Sequence, residues 1–249
     1  MTLSAKPYLR DISMRDDDDI DLDRYPFNIP AVRDLNRLSF HPDVTFFVGE
    51  NGAVKSTMLE AIAVAMGLPA EGGSRNVSRQ QQEVSPLQSV LRLSKGFKAP
   101  RWSYFLRAES AFDVISYIDE TWKDSFPRRP PPVSLHKSSH GEAFMQLLLD
   151  LGPDGFYLLD EPEAALSPNR QLAALSAIDQ LVKRGSQFII ATHSPILLAY
   201  PNAKIMVFDQ AGLSEVAYED TEHYAVTRDF LNHYQRRIEQ LLGDDEDDE

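Results

Sequence analysis

Val44-Thr45-Phe46-Phe47-Val48-Gly49-Glu50-Asn51-Gly52-Ala53-Val54-Lys55-Ser56-Thr57 is the stretch that decides the fold. Its first five residues are β-branched or aromatic without a break, the pattern of a strand buried on both faces. Gly49 and Gly52 interrupt it. Met58, Leu59, Ile62, Ala63 and Met66 then recur at helical spacing. A strand that runs through a short loop into a helix gathers backbone N–H groups at the helix N-terminus, which makes an anion cradle. In such a loop Asn51, Gly52, Ala53, Val54, Lys55, Ser56 and Thr57 line a phosphate chain. Lys55 reaches the β- and γ-phosphates, and Ser56 offers its hydroxyl to Mg²⁺. The spacing G-x-x-x-x-G-K-[ST] is kept, but Val54 stands at the second glycine. A β-branched residue resists backbone conformations that glycine adopts freely. The expectation is a widened or distorted loop, with weakened nucleotide binding and hydrolysis weakened more.

Outward from this stretch, short apolar strands alternate with helical patterns, which reads as α/β with parallel pairs. Further strands are expected at Trp102–Leu106, Phe156–Leu159, Gln187–Ala191, Ala203–Phe208 and Leu213–Tyr218. Gly141 to Leu151 reads as a helix with Phe144, Leu147, Leu148 and Leu151 on one face. Ser167 and Pro168 mark the N-cap and first position of another, which carries Leu172, Leu175, Leu181 and Val182 and stops at Gly185. A last amphipathic helix covers about 222–242. Residues 70–150 are less regular and include the connector Pro127-Arg128-Arg129-Pro130-Pro131-Pro132. They are expected to form a lobe inserted in a single domain over 1–249, with 243–249 as a solvated acidic tail.

Composition narrows the function classes. The chain has 249 residues, 43% of them hydrophobic, which is enough for a core and excludes a wholly disordered polymer. It has no cysteine, so disulfides, thiolate metal sites and a cysteine nucleophile are excluded. Net charge is −13, much of it in Asp16–Asp19 and Asp244–Glu249, and no broad basic footprint for nucleic acid is visible. No apolar run approaches the roughly 20 residues of a membrane helix, and the N-terminus lacks the apolar stretch of a secretory signal. No membrane insertion and a cytoplasmic location are the expectation.

Three further motifs fall in the second half. Phe156-Tyr157-Leu158-Leu159-Asp160-Glu161 is an apolar strand ending in two carboxylates. After a phosphate loop, Asp160 is placed to hold Mg²⁺ and Glu161 to act as general base on an attacking water. Ser138-Ser139-His140-Gly141-Glu142 opens a helix, where Ser139 and Gly141 offer a second phosphate-binding edge; Ser139 and Glu142 also fit an ordinary capping box. His193, in Ala191-Thr192-His193-Ser194-Pro195, follows a strand and can reach a phosphate or the attacking water by hydrogen bond; a histidine there can equally be structural.

Taken together these residues resemble the ATP-binding-cassette (ABC) ATPases. They are similar to the short bacterial AAA-family ATPases of cassette type, related to the heads of SMC and break-repair ATPases. The order corresponds: phosphate loop at Gly49–Thr57, signature-like Ser138–Glu142, Walker B at Phe156–Glu161, a D-loop-like Ala165–Asn169 and a switch histidine at His193. The resemblance covers roughly residues 20–210. It implies a mainly parallel P-loop sheet with an inserted helical lobe, ATP and Mg²⁺ as cofactors, and catalytic roles for Glu161 and His193. It also implies a head-to-tail homodimer with ATP at the interface, in which Ser139 and Gly141 act across the interface. The signature departs from the transporter pattern at His140 and Glu142. Glu109 stands nearest the Q-loop position, and Tyr25 and Phe27 are candidates for stacking on adenine.

The function that follows is a cassette ATPase that dimerises around ATP and regulates a partner or effector protein, as in defence or toxin systems. The gap of about 80 residues between phosphate loop and signature carries no heptads, so a long DNA-tethering coiled coil is not expected within this chain; nucleic acid would enter only through a partner. Two alternatives stay open: a non-hydrolysing nucleotide switch and the energising subunit of a membrane transporter.

Overall fold

A computed structural model of the protein describes residues 6–15, 20–50, 54–74, 85–108 and 140–243. In chain order the elements are β1 (Leu9–Met14), α1 (Pro30–Arg33), β2 (Leu38–Ser39), β3 (Val44–Val48), α2 (Lys55–Ala65), β4 (Gly73–Ser74), α3 (Leu87–Val90), β5 (Leu91–Lys95) and β6 (Trp102–Arg107). They continue with α4 (His140–Leu149), β7 (Gly155–Asp160), α5 (Pro168–Lys183), β8 (Gln187–Ala191), α6 (Pro195–Leu198), β9 (Lys204–Asp209), β10 (Gly212–Val216) and α7 (Glu222–Leu242).

Seven strands form the main sheet in the order β10-β9-β3-β8-β7-β6-β4. The five inner strands are parallel, and β10 and β4 close the edges antiparallel. β3, β7 and β8 are buried along their whole length, which the unbroken apolar runs demand. Side chains alternate across the sheet. Phe47 packs on one side with Met58, Leu59 and Ile62 of α2. Val44, Phe46 and Val48 pack on the other with Phe144 of α4 and Ile178 and Leu181 of α5. Each such side chain, once fully buried, contributes about 1.5–3 kcal/mol.

β1, β2 and β5 form a second, antiparallel sheet, none of whose strands is among those expected. Gln187, at the start of β8 and fully buried, pins it to the main sheet. Its Oε1 accepts from the backbone N–H groups of Tyr8 (2.9 Å) and Leu9 (3.0 Å). Its Nε2 donates to the carbonyls of Leu9 (2.9 Å) and His41 (3.0 Å).

The expected strands are present to within a residue or two, and α7 has the expected bounds. α5 differs in its buried face. Leu181 and Val182 are buried, but Leu172 is 57% exposed, and Gln171, Ala174, Ala177 and Ile178 complete the packed face. Ser167 caps α5 by its extended backbone and Pro168 occupies the first position, without a side-chain cap bond. The helix ends at Arg184, and Gly185 follows with φ 89°. Within 70–150, β4 and β6 join the main sheet and β5 the smaller one. Much of the expected lobe (75–84 and 109–139) and residues 244–249 lie outside the described residues.

Candidate functional site

Parallel pairing sets the site. β8 lies between β3 and β7, so the carboxyl ends of three adjacent strands bring together the phosphate loop, the Thr192-His193 loop and the Asp160-Glu161 pair. Phe47 is in register with Ala191, and Ala191 with Asp160. Open parallel sheets bind ligands outside these ends. The decisive contact spans 104 positions of the chain: Ser56 Oγ donates to Asp160 Oδ1 at 2.9 Å, with Asp160 only 5% exposed.

In the phosphate loop, Gly49 has φ 145°. Val54 sits at the N-cap of α2 with φ 65° and ψ 7°, and its side chain is buried. Valine therefore keeps the left-handed backbone that glycine takes freely, at a cost of about 1–3 kcal/mol. The distortion expected of it is not a retreat of the Val54 backbone into an extended conformation. Asn51, Gly52 and Ala53 lie outside the described residues. Lys55 is 4% exposed, and its Nζ donates to the carbonyls of Gly49 (2.7 Å) and Glu50 (2.9 Å). Burial pushes its pKa down, against the pull of Glu161, Asp160 and Glu163. Thr57 Oγ1 is 2.6 Å from the hydroxyl of Tyr25, whose ring is exposed, whereas Phe27 is buried in the core. Of the two candidates for adenine stacking, only Tyr25 presents a face.

Glu161 adopts φ 49° and ψ 51°, and its backbone N–H donates to the carbonyl of Ala191. Its Oε1 is 3.7 Å from Nε2 of His193. Glu163 is committed elsewhere: its carboxylate accepts from Thr192 Oγ1 (2.7 Å) and from the backbone N–H of His193 (2.5 Å). Burial raises its pKa, and those two hydrogen bonds oppose the rise. Glu161 is thus the carboxylate free to act on a ligand, while Glu163 holds the histidine loop. Nδ1 of His193 lies 2.9 Å from Nε2 of His223, at the start of α7. Burial, then Lys55, lowers the His193 pKa.

Gly141 is buried against its own chain: a Cβ there would meet the carbonyl oxygen of Ala165 at 2.5 Å and Nη1 of Arg170 at 2.6 Å. Arg170 also pairs with Glu142 (2.9 Å). Helix α4 therefore packs on the turn Pro162–Ala165, which leads into the D-loop-like Ala165–Asn169. Ser139 and Glu109 lie outside the described residues.

Three residues escaped the reading of the sequence. Arg107 ends β6 in register with Asp160, with Nε 3.4 Å from Asp160 Oδ2 and Nη1 3.4 Å from Glu60. Gln171 donates to the carbonyl of Leu166 (2.9 Å) and accepts from Ser194 Oγ (2.5 Å), joining the D-loop-like turn to the histidine loop. His223 is the third. None has a local signal, because each is placed by pairing or packing with a distant segment. Beside the phosphate loop a cavity of about 740 Å³ opens between the ends of β3 and β9 and the start of α7, with His223 in its wall.

The residues fit Mg²⁺: a hydroxyl and a buried carboxylate share one point, the hard oxygen donors this ion prefers. Residues 143–199 match the family model described as "AAA domain, putative AbiEii toxin, Type IV TA system". The chain is 24% identical over 224 residues to the energy-coupling factor transporter ATP-binding protein EcfA2 of Methanospirillum hungatei, covering 80% of this chain and 55% of that protein. The chain is similar to ABC-type ATP-binding proteins. The chain spans about half the length of this curated relative. Among solved structures, the chain is similar to the SMC head domain from Thermotoga maritima (16% identity, TM-score 0.45, 84% of this chain and 98% of that one). It is also similar to cbiO1 of the ABC transporter complex cbiONQ from Clostridium perfringens (15%, 0.48, 94% and 98%). No helix among the described residues is long and apolar enough to cross a membrane.

Proposed function

We propose that this ABC-type domain binds ATP with Mg²⁺, closes head to tail with a second copy around the nucleotide, and hydrolyses ATP to control a protein partner, with Val54 holding turnover down. The observation that carries the reading is the Ser56–Asp160 hydrogen bond, with Glu161 and His193 beside it. Such a set of groups serves phosphoryl transfer to water by positioning and charge stabilisation. Lys55 exchanges its two loop carbonyls for phosphate oxygens. Ser56 and Asp160 hold the metal, which when bound neutralises charge on the phosphates. Glu161 orients the attacking water and takes its proton. His193 donates a hydrogen bond from Nε2, and Glu163 keeps the loop of His193 in place. Ser139 and Gly141 serve the nucleotide of the second copy.

A protein partner is supported by α7. None of its residues is fully buried, and Leu231, Leu241 and Leu242 are 68–73% exposed. Apolar surface of this kind on a helix favours contact with another chain.

The test is ATP turnover with Mg²⁺, nucleotide affinity and oligomeric mass, for this chain and for Val54→Gly. Val54→Gly is expected to bind ATP about tenfold tighter, a gain of ~1.4 kcal/mol, and to turn it over with ATP-dependent dimerisation. Absence of nucleotide binding in both proteins overturns the reading. Binding without turnover in both, with Glu161 intact, leaves a nucleotide switch. The likeness to EcfA2 favours one second reading, an energising subunit of a transporter; turnover and dimerisation that need no membrane component speak against it.

A further inference from the structure

His223 lies outside every motif of the ABC-type site, yet it touches the switch histidine. It is the second residue of α7, after the N-cap Thr221, whose side chain accepts from Tyr224 N–H. Its Nε2 is 2.9 Å from Nδ1 of His193, and the two rings lie 5.1 Å apart, centre to centre. A hydrogen bond between two neutral imidazoles needs one N–H and one bare nitrogen. Two arrangements are therefore open. If Nδ1–H of His193 donates, its Nε2 is a bare acceptor. If Nε2–H of His223 donates, Nε2 of His193 carries the proton.

The carboxylate beside His193 chooses between them. Nε2 of His193 faces the Glu161 carboxylate at 3.7 Å and makes no hydrogen bond itself. A bare lone pair opposed to a carboxylate is repelled, whereas an N–H is attracted. At the far end, Nδ1 of His223 is buried and has no hydrogen-bond partner. Nε2 of His193 is buried too, so either arrangement leaves one buried N–H and one bare nitrogen unpartnered, and burial is neutral between them. The Glu161 carboxylate decides, and it places the proton of His223 on Nε2. Both rings also titrate below the ordinary histidine value, through burial first, then through Lys55 for His193 and through His193 and Lys55 for His223, with Glu161 opposing at His193 and Glu222 and Glu163 at His223. The pair is therefore neutral near pH 7.

We propose that His223 is a positioning residue for His193: it donates Nε2–H to Nδ1, fixes that ring as the Nε2–H tautomer, and so makes the start of the C-terminal helix part of the nucleotide site. The tautomer stands on the geometry alone; only its use in turnover rests on the proposed ATPase function. A fixed tautomer gives the site a permanent donor at Nε2, where a neutral histidine left to itself would be divided between two forms.

The test reads the ring nitrogens directly. In ¹H–¹⁵N spectra of the full chain without nucleotide, His193 is expected to show a protonated Nε2 and a bare Nδ1. In His223→Phe this pattern should give way to a mixture of tautomers, and in His223→Gln, whose amide can donate from a similar reach, it should return. Loss of the donor should not unfold the chain, since no residue of α7 is fully buried; His223→Ala is the second donor-free variant. In a Val54→Gly background, His223→Phe should lower kcat about 10- to 100-fold, the usual weight of a residue that orients a functional histidine. KM for ATP should move less than about twofold, because ground-state binding is untouched, and His223→Gln should recover most of kcat. A His193 spectrum unchanged in His223→Phe and His223→Ala, or one with Nδ1 protonated in the parent chain, overturns the proposal. The expected spectra with no turnover in any variant would instead overturn the ATPase reading and leave the tautomer assignment standing.

Discussion

Glu163 gives both carboxylate oxygens to the histidine loop, whereas Glu161, two residues earlier, keeps its own free within 3.7 Å of His193. Different surroundings assign different tasks to like groups. Glu161→Gln is expected to lower turnover about 10²- to 10⁴-fold with ATP affinity retained, measured by steady-state kinetics beside titration calorimetry. Glu163→Ala should instead cost stability, about 1–3 kcal/mol, by stripping partners from Thr192 and the His193 N–H, read from denaturant melts. The histidines add a pH dependence. Burial holds His193 and His223 below the ordinary value of 6.5, so the folded chain binds fewer protons than the unfolded one. Their stabilisation is present above about pH 6.5 and is lost as pH falls through their folded values. Glu163, with its pKa raised, acts oppositely: its contribution is present below the ordinary value of 4.5 and is lost as pH rises through its folded value. Melting temperature should fall from pH 7 to 5.5, and fall less in His223→Gln, as followed by circular dichroism. Glu161 was legible because it ends an apolar strand after a phosphate loop. His223 was not: nothing near residue 223 announces that Nδ1 of His193 lies beside it.

Helix α4 and the turn Pro162–Ala165 meet at Gly141, where the absence of a side chain lets the helix approach a carbonyl. Gly141→Ala would place a Cβ 2.5 Å from the Ala165 oxygen, so the helix must shift. The expected loss is about 1–3 kcal/mol, measured by chemical denaturation; a value near zero would mean that α4 moves freely on the turn. The glycine itself was visible in the sequence as part of Ser138–Glu142. That it is buried in its own chain was not, because the contact depends on where β7 delivers the turn. Leu172 makes the same point for α5. Several faces of that helix carry apolar residues, and only the position of the sheet selects Ala174, Ile178 and Leu181 over it.

At the scale of the molecule, two sheets are joined through one fully buried side chain. Gln187 meets two N–H groups and two carbonyls, and Gln187→Leu would strip each of them of this partner. A loss of at least about 3 kcal/mol is expected, with cooperative unfolding at a lower temperature in calorimetry. Unchanged stability would mean that the small sheet is held by its other contacts, its apolar core and the Lys204–Ser39 hydrogen bond among them. The main sheet needed little more than sequence to be anticipated. The run Val44–Val48, the apolar stretches before Asp160 and Thr192, and their alternation with helical spacing dictate an α/β fold, since each strand must be covered on both faces. The sequence also singled out Lys55, Ser56, Asp160, Glu161 and His193 as candidates, because a phosphate loop and its acids are local patterns carried by strand ends. Tertiary structure alone decided the strand order that sets β8 between β3 and β7, and with it the meeting of Ser56 and Asp160. It alone brought Arg107 to Asp160, Gln187 to β1 and His223 to His193. Periodicity reports which residues must leave water; which buried groups then come within hydrogen-bond reach is fixed by how the strands pair and where the last helix is laid down.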